Sequence, residues 1–310
     1  MLLGRREPAM SPATWRASRW LIVASMVLLV GWIGSATLVV HRLTRRERPP
    51  FPEAPPEIGW GRIEEHRLAT SDGEELEAWL VRGPPEGPSV VVLHGKGGSC
   101  AASLGRAELL AELGASPLVI SLRAHGSSSG DVEDFGWSAR NDVRAAVDFL
   151  EGRRPGCPIL VLATSLGAAA AAFAAPELGE RVRGYALEQP YRDLRSATWH
   201  RLQEALPPLL DRVAYAGMLL VGPVFFGNLD RFSAADSLRG LPDAVGLWVL
   251  AGEADALATP DEARAVAAAH PSASRVVLFP GAGHDSLLLA DGALYRRTIA
   301  DWVAEALGAR

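Results

Sequence analysis

From Trp20 to Val40 the chain shows 21 consecutive positions without a charged side chain. Wound as a helix, that run is roughly 30 Å long, the thickness of a bilayer's hydrocarbon core. Beyond residue 58 the texture changes to short apolar runs separated by mixed stretches. "RIEEHRLAT" and "EELEAWLVR" alternate around Ser71-Asp72-Gly73 and predict a hairpin. "SVVVLHG", "SPLVISLRAHG", "PILVLATS", "VRGYALEQP", "VGLWVLAG" and "RVVLF" are apolar runs of strand length. Helical patterns fall between most of them, over Ala101–Leu113, Trp137–Leu150 and the alanine-rich stretch from Ala168. Strands buried on both faces and alternating with helices predict a mostly parallel sheet covered by helices on both sides.

Residues 191–242 interrupt that rhythm. Fifty residues between two strands exceed a plain loop, and "LPPLLDRVAYAGMLLVGPVFFG" is apolar with helical spacing. We read the segment as a helical cap over the carboxyl edge of the sheet. A second membrane span over 206–226 is the alternative. Asp211 and Arg212 interrupt it, and the strand pattern resumes directly afterwards. A cap that dips into the membrane is compatible with both observations.

The organisation is therefore a basic segment at 1–19, a transmembrane helix at 20–40, a Pro-rich linker at 41–57 and a folded domain at 58–310. A cleaved signal peptide would carry a shorter apolar core and a small-residue cleavage site, and no such site stands out after Gly34. Arg5, Arg6, Arg16 and Arg19 precede the span; Arg42, Arg45, Arg46 and Arg48 follow it. That near tie leans to an inside amino terminus and an extracytoplasmic domain. Gly31 and Ser35 are spaced to pack two helices, a weak dimer signal that leaves the oligomeric state open. "PPFPEAPPE" predicts a stiff, extended linker that holds the domain off the membrane surface.

Composition narrows the function. The 310 residues are 48% apolar, enough for a sizeable core, and the net charge of -5 argues against a nucleic-acid partner. Lys96 is the single lysine among many arginines, which fits codon bias in a GC-rich genome. Cys100 and Cys157 have no metal-binding spacing and read as small hydrophobes, with one bridge between them left open.

The candidate chemistry sits at strand ends, where open parallel sheets present residues to ligands. Ser165 stands at the corner between "PILVLAT" and an alanine-rich helix, in Ala163-Thr164-Ser165-Leu166-Gly167. That corner resembles the nucleophile elbow of the α/β-hydrolase superfamily, G-x-S-x-G, with alanine in the first place. The family's chain order, serine, acid, histidine, is matched. Asp255 follows "VGLWVLAG" in a G-x-x-D pattern, and His284 follows "RVVLF" in "PGAGHDSLL". Glu253 is the rival acid, one turn early. Asp285 reads as a helix cap or an exposed charge.

"LHGKGGS" resembles the family's oxyanion loop, so the backbone N–H groups of Leu166 and Lys96 are the implied oxyanion donors, with Gly97 as the alternative to Lys96. The Lys96 side chain reads as solvated, with a contact to an anionic substrate group as the alternative. His125, in "LRAHGSSSG", reads as structural support for the site; His41, His66, His200 and His270 fit no catalytic position.

The resemblance spans roughly residues 60–310 and points to a membrane-anchored bacterial serine hydrolase. It implies acyl transfer to Ser165 with His284 as base, Asp255 as its orienter, and neither metal nor organic cofactor. Carboxylic esters, lipid-like or small, are the implied substrates. Met218, Leu219, Leu220, Phe225 and Phe226 are equally an acyl site or plain cap core. The alternatives are a serine peptidase of the same fold and a membrane-tethered binding protein that has lost catalysis.

Overall fold

The computed structural model describes residues 12–51 and 53–308. Arg5 and Arg6, like the rest of 1–11, lie outside the described residues, as do the last two positions. A long helix, α1 (Pro12–Leu43), leads into the domain. It is long and apolar enough to cross a membrane by length and composition.

The hairpin strands β1 (Ile63–Ala69) and β2 (Glu75–Val81) flank the turn at Gly73, which takes φ 94°. There follow β3 (Ser89–Leu93), α2 (Leu104–Glu112), β4 (Ser116–Ile120), α3 (Arg140–Arg153), β5 (Ile159–Thr164), α4 (Leu166–Leu178) and β6 (Gly184–Glu188). The cap contains α5 (Leu194–Ala205), α6 (Leu210–Phe226) and α7 (Ala234–Leu238). The chain closes with β7 (Gly246–Gly252), α8 (Pro260–Ala268), β8 (Ser274–Phe279), α9 (Leu287–Ala290) and α10 (Gly292–Ala306).

The eight strands form one sheet in the order β1-β2-β4-β3-β5-β6-β7-β8. Only β2 runs against the others; β4 to β8 are joined by parallel ladders through β3. Strands β3, β4 and β6 are buried at every position, as their unbroken apolar runs require. One face packs against α3, α4, α7 and α8, the other against α2 and α10. Helix α4 lies close to the sheet because its buried inner turns are mostly alanine, from Ala168 to Ala175.

A third apolar cluster lies under the cap. There Phe173 of α4 meets Leu194, Val221 and Phe226, and α1 contributes Ala36 and Val40. Helix α1 thus continues past its exposed stretch and folds onto α6. The Trp32 indole Nε1 donates to the Val213 carbonyl at 3.0 Å, and Gly217 faces Trp32 and Ala36 so closely that a Cβ there would sit 3.0–3.1 Å from them.

The stretch directly behind α1 lies on the domain. Arg45 bridges to Val132, and the Arg46 N–H donates to the Asp131 carbonyl at 3.0 Å. The Arg46 guanidinium donates to the carbonyls of Gly126, Ser128 and Gly130 at 2.6, 2.7 and 3.1 Å. A glycine- and serine-rich turn offers carbonyls that no strand pairs, and one arginine fork satisfies three of them.

Candidate active site

Strand β5 ends at Thr164 and α4 begins at Leu166, so Ser165 alone makes the corner. Its backbone takes φ 48° and ψ -105°, a strained conformation for a residue with a side chain. The corner is held from below, where the Ser165 N–H donates to the Glu188 carbonyl at 2.8 Å. Ala163 is fully buried and lacks positive φ, so a methyl is tolerated where the family pattern has glycine. Gly167 is different, because a Cβ there would lie 2.7 Å from both the His94 carbonyl oxygen and the Leu93 Cβ.

Asp255 and His284 approach from β7 and β8. His284 Nε2 lies 3.1 Å from Ser165 Oγ, and His284 Nδ1 lies 2.8 Å from Asp255 Oδ2. The Asp255 carboxylate is fully buried, and its other oxygen accepts the N–H groups of Leu257 and Ala258, both at 2.8 Å. Those bonds fix its orientation. Gly252 lets the two loops meet, since a Cβ there would collide with the Ala282 carbonyl at 2.2 Å. Glu253 is exposed; Asp285 is exposed at the lining of the cleft, and Ser286, not Asp285, stands at the N-cap position of α9, with no side-chain capping bond.

The 94–98 loop passes over Ser165, with Gly95 nearest. His94 anchors it. His94 Nε2 accepts the Leu122 N–H at 3.0 Å, which puts the proton on Nδ1, donating to the Gly95 carbonyl at 2.7 Å. Burial, with His125 beside it, pushes the His94 pKa down to about 3, so the ring is neutral and the tautomer fixed. The His125 ring packs against His94 at a tilt of 58°, with centroids 4.9 Å apart, supporting the loop. Leu166 opens α4, so its N–H has no partner within the helix. Among the described residues the Lys96 N–H also has no partner.

Lys96 is exposed at the rim of the cleft, and its side chain also finds partners within the chain. Its ammonium donates to both oxygens of buried Glu133, at 2.9 and 3.0 Å, and to the Leu43 carbonyl at the end of α1, at 3.2 Å. A cation at a helix carboxyl terminus and a buried carboxylate satisfy each other.

A cleft of about 420 Å³ opens over Ser165, lined by Gly95, Lys96, Arg106, Gln189, Arg201 and His284 among others. Sequence reasoning missed Glu188, Arg106, Tyr295 and Gln189. Glu188 is fully buried at the end of β6. It accepts from Arg106 Nη2 at 2.5 Å, from Thr164 Oγ1 at 3.2 Å and from the Tyr295 hydroxyl. Burial and the Glu188 carboxylate push the Tyr295 phenol well above its ordinary pKa, so it stays a donor. Gln189 takes φ 50° and donates to the Gly283 carbonyl at 2.7 Å, tying β6 to the His284 loop. The available signal was a charge closing an apolar strand, which demands a buried partner.

The remaining histidines lie elsewhere: His41 faces Phe225, His66 faces Phe149, His200 neighbours Glu262, and His270 bonds to the Val245 carbonyl. Cys100 and Cys157 are both free. Among the described residues no cluster of three histidine, cysteine or acidic side chains is placed to hold a metal ion.

The model of the Alpha/beta hydrolase family matches residues 90–297. An uncharacterized protein of Mycobacterium tuberculosis is 27% identical over 297 residues, covering 92% of this chain and 92% of its own. Among solved structures, the Pyrococcus furiosus esterase Pf2001 superposes with a TM-score of 0.65 at 20% identity, covering 83% of this chain and 99% of that one. A puromycin-hydrolyzing peptidase of M. tuberculosis superposes at 0.64 with 17% identity, covering 82% of this chain and 40% of that one. At these identities the structural likeness is one of fold.

Proposed function

The chain belongs to the alpha/beta hydrolase family, and on that premise we propose that it is a serine hydrolase acting by acyl transfer on carboxylic esters. The observation that carries the reading is the hydrogen-bonded line from Ser165 Oγ through both nitrogens of His284 to the buried Asp255 carboxylate.

In this reading Ser165 Oγ attacks the ester carbonyl as its proton passes to His284 Nε2. Asp255 holds the imidazole tautomer and stabilises the cation that forms. The N–H groups of Leu166 and Lys96 receive the oxyanion, and each such donor contributes a factor of roughly 10² to 10³ in turnover. The tetrahedral intermediate collapses, and the C–O bond to the alcohol breaks as His284 returns the proton. Water, deprotonated by His284, then attacks the acyl-enzyme; its collapse releases the acid and Ser165 takes back the proton. The strain at Ser165 and the amino terminus of α4 beneath it suit a nucleophile whose adduct carries negative charge.

We further propose that α1 is an uncleaved single-pass anchor. Its carboxyl-terminal part buries Ala36 and Val40 and bonds to α6, so cleavage behind the span would strip a wall from the fold. The arginines on the two sides of the span nearly balance, and from that count we take an inside amino terminus and an extracytoplasmic domain. A reporter active only outside the cytoplasm, fused after Arg310, should give signal; signal from a cytoplasm-only reporter overturns that orientation.

The function is tested with a fluorophosphonate probe on the full-length protein, beside Ser165→Ala and His284→Ala. Labelling at Ser165, absent from both variants, and turnover of p-nitrophenyl acetate are expected. Turnover of peptide substrates with no turnover of esters would select the peptidase. No labelling of folded protein would select the tethered binding protein.

A further inference from the structure

A second hollow of about 240 Å³ lies beside the cleft, between α1, α5 and α6. Its walls are apolar: Val39 and Leu43 from α1, Leu194 and Ala197 from α5, Met218 from α6, and Phe135. It continues into a smaller hollow that shares Leu43, Phe135 and Met218 and reaches Phe226. One charged side chain, Arg201, lines the larger hollow, and it lines the cleft over Ser165 as well. Among the described residues Arg201 forms no ion pair, and its Nη1 donates to the Ala197 carbonyl at 3.0 Å. A guanidinium carries five N–H donors, so several are left to meet an oxygen-bearing ligand at the junction.

The setting of this chamber is unusual. Helices α1 and α6 run parallel, with Trp32 against Val213, Ala36 against Gly217, and His41 against Phe225. The stretch 32–40 of α1 belongs to the uncharged run of bilayer length. Whatever depth that stretch takes, the first turns of α6 share it. The turn before α6 and its outer side expose Leu209, Leu210, Val213, Leu220 and Val224, an apolar rim suited to lipid contact.

Resting on the hydrolase reading above, we propose that the chamber receives the acyl chain of a membrane-borne long-chain carboxylic ester. The chain lies between the anchor helix and the cap, and Arg201 at the mouth hydrogen-bonds the oxygen-bearing end, so that the carbonyl carbon meets Ser165. The chamber and cleft together fall in the size range of small-molecule sites, roughly 300–1,000 Å³. The anchor is then a wall of the substrate site as well as a tether.

The test uses full-length protein in lipid nanodiscs and compares kcat/KM for p-nitrophenyl acetate, hexanoate and decanoate. Each methylene taken into the chamber should raise kcat/KM about threefold to fourfold, the equivalent of ~0.8 kcal/mol. Entry of only about three of decanoate's additional methylenes already takes the decanoate-to-acetate ratio to about thirtyfold, the least the proposal allows. Ala205→Trp on α5 and Met218→Trp on α6 fill the hollow from two sides, and each should lower that ratio at least about tenfold. Partial misfolding lowers both rates alike and leaves the ratio unmoved. Acetate turnover with Ser165 labelled, but a flat chain-length profile or a ratio unmoved in both variants, overturns the chamber and leaves the hydrolase reading standing. Neither turnover nor labelling overturns both.

Discussion

At the carboxyl edge of the sheet, Ser165, Asp255 and His284 come from three separate strands, yet each stands within a few residues of its own strand end. Their meeting is set by the parallel register, which aligns Leu93 with Ala163, Ala163 with Leu187, and Gly252 with Phe279. On the other side of the site, α1 meets α6 through Trp32 and Val213, 181 positions apart, with no motif at either end. The first region is assembled by a rule that every parallel sheet obeys; the second is assembled by packing peculiar to this chain. Chemistry is placed by the first. The second shapes what reaches it.

Breaking the first region should cost far more activity than breaking the second. Asp255→Asn keeps the shape but loses the charge that orients His284, and kcat should fall by on the order of 10⁴ with the fold unchanged by circular dichroism. Gly167→Ala drives a methyl into the His94 carbonyl. It should lower stability by about 1–3 kcal/mol. By shifting the Leu166 N–H it should also reduce turnover at least about tenfold.

Gly217→Leu attacks the second region instead, where a side chain must push α1 off α6. A loss of about 1–3 kcal/mol is expected, read as a lower thermal midpoint. Fluorophosphonate labelling of Ser165 should persist, and equal loss of labelling in both glycine variants would erase the distinction between the regions.

The last test concerns pH. The His94 pKa of about 3 in the folded chain lies below the roughly 6.5 of an unfolded histidine, so below about pH 6.5 the unfolded chain binds the proton first. Its stabilising contribution is full above that pH and is lost toward pH 3, at about 1.4 kcal/mol per pH unit. His94→Asn should flatten the fall in urea midpoint between pH 6.5 and 5; an unchanged slope would show that the ring is not buried neutral.

Much of the first region was legible. Apolar run length predicted the strands β3 to β8, and the positions just behind three of them held the serine, the acid and the histidine. The two supporting networks were not. Glu188 with Arg106 and Tyr295 joins residues that are 82 and 107 positions apart, and no periodicity records such a pairing. The docking of Arg46 escaped because no local pattern says what a lone arginine binds 80 positions along the chain. The ion pair of Lys96 was not legible because its partners, Glu133 and the Leu43 carbonyl, lie far along the chain in both directions. Cap residues such as Met218 were readable as core or as binding surface. Composition cannot separate the two, since the same apolar side chains serve both.

The most direct test of the central claim is to mix full-length protein with p-nitrophenyl octanoate, quench in acid within the first turnovers, and map the modified peptide by mass spectrometry. The account predicts one octanoyl group, carried on Ser165 and accumulating faster than it is released when deacylation is slowed at low pH. Turnover with unmodified Ser165, or an acyl group carried on another residue, would contradict it.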